Sequence, residues 1–257
     1  MNPGKPTIAL LTDFGTRDPY VAVVKGVLAS RTDAAVADLS HEISPFDPFE
    51  AAWFLRSAVP WWPEGTIFVC VVDPGVGTSR RILAARAAGK MFLAPDNGLL
   101  TFIDCESVVS VENSSMFLPD GSTTFHGRDR FAPVAAALAG GAPLDALGPR
   151  VDPESIERLD YSSPVYAHDR AGGTIVSIDR FGNCITDLDA ARIGFSPALL
   201  RVGEAVITRV ERSYREAASG PFIIVGSTGT IEVSVRNGSA AELLHMKRGD
   251  RVEVIGS

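Results

Sequence analysis

The stretch VCVVDPGVGTSRR, Val69 to Arg81, places a carboxylate, a glycine-bearing turn and two guanidinium groups directly after an apolar run. Such a set at the end of a strand can hold a ligand. The carboxylate accepts hydrogen bonds, the arginines donate them, and the glycines let backbone N–H groups come close. Two further segments put acids in comparable places, Asp13 with Asp18 in LTDFGTRDPY and Asp96 with Asn97 in APDNGLL. The same residue types punctuate ordinary turns, so each segment alone reads either way. Three in one domain, each closing an apolar strand, favour a site. His126 in TTFHGRDRFAPVAA stands just before a helical pattern, where it serves a ligand or merely caps and packs. His41 in LSHEI sits at a strand end, as a supporting residue or as packing, and His168 and His245 are expected on the surface. In the last third, DRFGNCITD, Asp179 to Asp187, offers the Phe181 ring and the Asn183 amide to a flat heterocycle, or is simply a hairpin turn.

Several chemistries are excluded or weakened. The DFG of LTDFGTRDPY comes without a Gly-rich loop or an HRD segment, so a kinase reading fails. No GxxxxGK[ST] or GxGxxG occurs, leaving phosphate-loop and dinucleotide readings unsupported. A metal-dependent phosphohydrolase using Asp13, Asp73, Asp96 and His126 lacks HxH, HxxxH or HExxH spacing. No metal is expected.

The elements that must position these residues follow from periodicity. TIALLTD (Thr7–Asp13) reads as a strand, YVAVVKGVLASR as a helix, AAVADLSHEI as a strand and PFEAAWFLRSAVPWW as a helix with Pro48 in its first turn. GTIFVCVVDPG is apolar throughout, the pattern of a strand buried on both faces. RILAARAAGKMFLAPDNGLLTFI supplies two strands hinged at Gly89–Lys90, and RDRFAPVAAALAGG a helix ending at Gly140–Gly141. After YSSPVYAHDRAGG the texture changes to short β-type runs spaced by Gly and Asn, with SAAELLHM the longest helical pattern, so the boundary is expected near 163–171. The expected fold class is α/β: an N-terminal, mostly parallel α/β sheet domain over residues 1–165 and a smaller C-terminal β-barrel domain over 170–257.

The 257 residues are 46% hydrophobic and 21% charged, with no long single-sign block, so a folded chain is expected. A net charge of −7 argues against nucleic acid as a partner. Cys70, Cys105 and Cys184 are odd in number and far apart, which reads as free thiols in a reducing compartment. No apolar run reaches the ~18 residues that suggest a membrane span, and no leader pattern opens the chain. A soluble, cytoplasmic protein without a membrane partner is expected.

Six motifs in order, LTDFGTRDPYVAVVKG, VVDPGVGTSRR, APDNGLLT, FHGRDRFAPVAA, IDRFGN and GSTGTIEVSVRNGSAA, closely resemble the S-adenosyl-L-methionine (SAM) hydroxide adenosyltransferases, or SAM hydrolases. These are relatives of the SAM-dependent fluorinase and chlorinase. The resemblance spans nearly the whole chain and implies an N-terminal α/β domain, a C-terminal β-barrel, and a homotrimer with SAM held at subunit interfaces. It implies attack of water or hydroxide on the ribose 5′ carbon, giving adenosine and L-methionine. SAM is then the substrate, and no cofactor is expected. By motif position, Asp73, Arg80 and His126 hold the attacking oxygen, Arg80 rather than Arg81 because the family's arginine lies seven residues after the aspartate. His126, with an ordinary pKa of about 6.5, is able to accept the proton near neutral pH, and the sequence leaves open whether hydroxide is bound as such or water is deprotonated during attack. Asp13 grips the ribose hydroxyls and Asp18 shares its loop. Asp179, Asn183 and Ser227 receive the amino-acid end, Phe181 lies near the adenine, and backbone groups around Val235 and Asn237 meet the adenine edge. Thr230 stands where members often carry an aromatic. The alternatives are a halogenase-like enzyme, disfavoured by the intact Asp73, Arg80 and His126, and a SAM- or adenosine-binding protein without turnover.

Overall fold

In a computed structural model describing residues 6–256, the chain divides into two units, Met1–Asp160 and Tyr161–Ser257. In the first, strand β1 (Thr7–Thr12) alternates between two cores. Ile8 and Leu10 pack with Val24 and Leu28 of helix α1 (Tyr20–Ala29), and Ala9 and Leu11 pack against Ala51 and Leu55 of another helix, Pro48–Ala58. Between these helices runs β2 (Ala35–Ser40), so Pro48–Ala58 is α2. Asp47 caps α2 by accepting from the Glu50 N–H, and Pro48 occupies the first turn, where its missing N–H costs nothing. Strand β3 (Ile67–Val71) repeats the alternation: Ile67, Val69 and Val71 face one core, Phe68, Cys70 and Val72 the other. Burial on both faces explains its unbroken apolar sequence.

The remaining strands are β4 (Ile82–Ala87), β5 (Lys90–Pro95), β6 (Ser107–Ser110) and β7 (Arg150–Val151), in the sheet order β2-β1-β3-β5-β4-β6-β7. The sheet was expected to be mostly parallel and is mixed. β2, β1, β3 and β5 pair in parallel, whereas β4 pairs antiparallel with both β5 and β6, and β6 with β7. The cause is the two-residue loop Ala88–Gly89, with φ of 47° and 70°. Successive positive φ values make a tight hairpin, which can join only antiparallel strands.

The helix expected from Arg128 onward begins as a π turn over Gly127–Phe131 and continues as α3 (Ala132–Ala139), packed with α1 on one face of the sheet. Such turns recur at functional sites, and this one directly follows His126.

The second unit contains β8 (Val165–Tyr166), β9 (Arg170–Ile178), β10 (Cys184–Asp189), β11 (Pro197–Val202), β12 (Ala205–Ile207), β13 (Pro221–Val225), β14 (Thr230–Val235), a short helix α4 (Ala240–Leu244) and β15 (Arg251–Gly256). Its antiparallel sheet runs β12-β11-β15-β9-β10-β14-β13. A bridge between Val210, just past β12, and Ile223 of β13 brings the two ends of that order together, so the sheet is nearly barrel-shaped. Ile175, Leu188, Leu200, Ile231, Val233 and Val254 fill its core. Cys70 and Cys184 are buried free thiols whose pKa values burial pushes up, and Cys105 is a half-buried one. Among the described residues no helix is long and apolar enough to cross a membrane.

Candidate active site

β3 delivers Asp73 two residues past Val71, and the chain then loops back to Arg80. Gly77 is essential to this loop. Its φ is 82°, and a Cβ there would lie 2.6 Å from the carbonyl oxygen of Thr123. Only a residue without a side chain lets the 74–79 loop press against the segment that carries His126. Arg80 then donates from Nε to Asp73 Oδ1 at 2.7 Å and from Nη2 to Asp73 Oδ2, a two-pronged grip on one carboxylate. The same Nη2 lies 3.0 Å from Nδ1 of His126.

That last contact bears on the histidine's tautomer. A guanidinium has donors only, so Nδ1 must accept, and the proton of the neutral ring sits on Nε2. His126 is 2% exposed, and burial depresses its pKa. The positive charges of Arg130 and Arg80 push the same way against Asp73 and Asp129. A neutral ring with its proton on Nε2 can donate a hydrogen bond there, and its lone pair on Nδ1 faces Arg80. Among the described residues Nε2 has no hydrogen-bond partner.

Asp73 and His126 both line a cavity of about 340 Å³, and Arg80, which bridges them, is outside that lining. Asp13 lines the same cavity, its Oδ2 accepting from the Phe46 N–H at 2.9 Å. Asp18 does not: it lies on the exposed part of the loop. One wall is aromatic. The rings of Phe14, Tyr20 and Phe125 meet with centroids 5.3–5.9 Å apart, and a Cβ on Gly127 would come within 3.2–3.3 Å of Phe14 and Phe125. Sequence reasoning missed this wall. Its signal was present in the aromatics of TDFG and TFHG, each next to a residue already singled out.

Asp96 and Asn97, candidates by position, are committed to the scaffold. Asp96 is buried, accepts from Arg81 Nε at 2.7 Å and from the Glu157 N–H at 2.8 Å, while Asn97 Nδ2 donates to the Val72 carbonyl at 2.9 Å. The adjacent arginines thus part company, Arg80 to Asp73 and Arg81 to Asp96. His41 supports the Asp13 loop from below. Its Nδ1 lies 2.8 Å from Thr12 Oγ1, and its Nε2 is 3.0 Å from Asp38 Oδ1. Burial opposes ionisation of Asp38, but hydrogen bonds from Lys25 and His41 outweigh it and hold its pKa down. Among the described residues no cluster of three or more His, Cys, Asp and Glu side chains is disposed to hold a metal ion.

The second unit has its own cavity, of about 930 Å³, whose lining includes Asp179, Phe181, Asn183, Ser227, Val235 and Asn237, all six residues marked in that half of the sequence. The DRFGN segment is indeed a hairpin turn between β9 and β10, and its shape makes it a wall as well. Asp179 Oδ1 accepts from the Phe181 and Asn183 N–H groups, both at 2.9 Å, and Oδ2 accepts from Asn183 Nδ2 at 2.8 Å. Gly182, at φ 81°, lies so close to Ser239 that a Cβ would sit 2.1 Å from its hydroxyl. Ser239 in turn caps α4 through the Glu242 N–H. This folding back leaves the Phe181 ring 77% exposed at the cavity rim. Thr230 is buried beside Thr228 and takes no part in the lining. Tyr214, Arg215 and Arg236, which the sequence did not single out, complete the wall.

The fold is that of a two-domain, sheet-rich protein with one nearly barrel-shaped sheet, a cavity in each unit and a charged Asp73–Arg80–His126 cluster in the first. The SAM hydroxide adenosyltransferase N-terminal domain profile matches residues 8–148 and the C-terminal domain profile residues 173–253; the chain belongs to this family. It is 41% identical to a protein of Thermus thermophilus named (R)-S-adenosyl-L-methionine hydrolase, over 96% of this chain and 99% of that one. A fluorinase of an Actinoplanes species is more distant, 28% identical over 98% of each chain. Among solved structures, an uncharacterized conserved protein of Thermotoga maritima superimposes with a TM-score of 0.91 at 34% identity, covering 96% of this chain and 99% of that chain.

Proposed function

We propose that this chain hydrolyses SAM at the ribose 5′ carbon, releasing adenosine and L-methionine. Family membership and relatives bearing the hydrolase name at up to 41% identity support the reading. The observation that carries it is the bridge from Arg80 to Asp73 and His126, two residues that line one cavity. In this reading the attacking oxygen is held beside Asp73, Arg80 and His126.

The chemistry asks little more. The sulfonium of SAM leaves without an acid: as the oxygen bonds to C5′, the C5′–S electron pair passes to sulfur, which departs as the neutral thioether of methionine. When water attacks, its spare proton goes to solvent; hydroxide has none to lose. The protein's task is alignment, and well-oriented reactants gain about 7–11 kcal/mol from proximity. Arg80 fixes both partners of the oxygen. Asp13 receives the ribose hydroxyls, and the aromatic wall covers the sugar's surroundings.

In the second unit Asp179, Asn183 and Ser227 receive the amino-acid end, Phe181 packs on the adenine, and backbone groups at Val235 and Asn237 meet its edge. We further infer a cytoplasmic homotrimer in which SAM lies where the first unit of one subunit meets the second unit of its neighbour. Asp18 is assigned only to the loop beside Asp13.

The test is incubation of pure protein with SAM in ¹⁸O-water. Adenosine labelled at its 5′ oxygen, with methionine in equal amount, is expected. Tight SAM binding without products would leave a binding protein, 5′-halo-adenosine formed with chloride or fluoride would favour a halogenating enzyme, and loss of activity on adding a chelator would return a metal-dependent route.

A further inference from the structure

Glu232 is a buried acid to which the reaction above gives no work. It is 5% exposed, and among the described residues it forms no ion pair with any Lys, Arg or His. Its place in β14 explains where it points. Ile231 and Val233 face the barrel core, so Glu232 faces the opposite side, where the chain between β12 and β13 covers the sheet. Two contacts define its surroundings. Oε2 accepts from the Tyr214 hydroxyl at 3.0 Å, and a Cβ on Gly226 would lie 1.6 Å from Oε1, so the carboxyl rests on the bare Cα of Gly226. Gly226 opens the turn from β13 to β14, closed by Gly226 N–H to Thr230 O and Gly229 N–H to Gly226 O. The next residue of that turn, Ser227, and the Tyr214 ring both line the 930 Å³ cavity.

An acid buried without a cation is costly. Here burial raises its pKa, the Tyr214 hydrogen bond opposes this, and Asp179 adds to it. The Tyr214 ring meets Phe222 at 6.1 Å between centroids and is 46% exposed. At its hydroxyl end it bonds to the Glu232 carboxyl, with Ser234 also within reach.

We propose that Glu232 is a positioning residue, which sets the Tyr214 ring and the Gly226–Ser227 turn as two walls of the second unit's cavity and thereby sets affinity for the ligand held there. The inference rests on the reading that this cavity holds part of SAM. It assigns Glu232 no contact with the substrate. Its effect is on binding and not on the bond-breaking step.

The experiment compares SAM kinetics and thermal stability of the intact protein with Glu232→Ala, Glu232→Gln, Tyr214→Phe and the Glu232→Ala/Tyr214→Phe double variant. Losing the anchor is expected to raise KM roughly tenfold, the equivalent of one net hydrogen bond, with kcat nearly unchanged. Glu232→Gln, which keeps an acceptor for the hydroxyl, restores a near-normal KM. The double variant is no worse than either single one, because both cut the same link. An unchanged KM in Tyr214→Phe, or in a folded Glu232→Ala, overturns the proposal, as does a fall in kcat at constant KM. If Glu232→Ala does not fold, Tyr214→Phe and Glu232→Gln still decide. A wild-type protein that neither binds nor turns over SAM would overturn the parent reading and this one with it, whereas active wild type with an insensitive KM sinks this one alone.

Discussion

Arg80 Nη2 and His126 Nδ1 lie 3.0 Å apart, and because arginine can only donate, the imidazole accepts at Nδ1 and its neutral form carries the proton on Nε2. Asp73, gripped through both oxygens by the same guanidinium, keeps lone pairs to accept from a bound oxygen. One arginine thereby sets the orientation of both groups.

Asp73→Asn replaces an acceptor with a group that also donates and dissolves the two-pronged grip. Turnover is expected to fall about 10²–10³-fold, in the range seen when an oriented polar group at a reacting centre is lost, with KM changed only a few-fold. Steady-state kinetics with SAM checks it. Equal losses in kcat and substrate affinity would make Asp73 a binding residue.

The depressed pKa of His126 makes a linkage prediction. The unfolded chain binds a proton at this site at higher pH than the folded one does, so folding stability is complete above about pH 6.5 and declines as pH falls through the folded value. Urea unfolding from pH 7.5 to 5 should show this slope in the wild type and a shallower one in His126→Gln. Parallel slopes in the two would show that the ring's burial has no such cost.

Asp13→Ala is expected to weaken adenosine and SAM binding with less effect on kcat, since Asp13 lines the cavity without touching the Arg80 bridge. Calorimetric titration with adenosine measures this directly. An unchanged affinity would remove Asp13 from the ribose.

Neighbouring arginines should behave oppositely. Arg81→Ala leaves the buried Asp96 short of its partner and should cost about 1–3 kcal/mol of stability while sparing kcat. Arg80→Ala should abolish most turnover. Thermal melts and kinetics on the pair separate the two, and loss of kcat in Arg81→Ala at full occupancy of the fold would contradict the division.

Gly77→Ala forces a side chain into 2.6 Å contact with the Thr123 carbonyl at a φ of 82°. The strain is about 1–3 kcal/mol, expressed either as a lower melting temperature or as displacement of His126 with loss of kcat. A variant unchanged in both would mean the two loops need not touch.

Much of this protein was legible in its residues. The uninterrupted apolar run of β3 announced a strand buried on both faces and ended at Asp73, and the Gly–Asn-spaced runs after YSSPVYAHDRAGG announced the nearly barrel-shaped sheet. These patterns are local, because side-chain alternation and turn chemistry are properties of neighbours in the chain. The direction of β4 was locally encoded too, in the Ala88–Gly89 turn, but reading it required knowing which strands lay beside it. Three matters were decided only by the tertiary structure. Asp96 and Asp73 look alike in sequence, and it is the arginine each meets that sends one to the scaffold and the other to the cavity. The ring tautomer of His126 depends on a donor 46 residues away. The burial of Glu232 depends on a covering segment that its own strand does not specify. Charge, protonation and exposure belong to the partners that folding brings together, and the order of residues along the chain names those partners only once the chain has closed on itself.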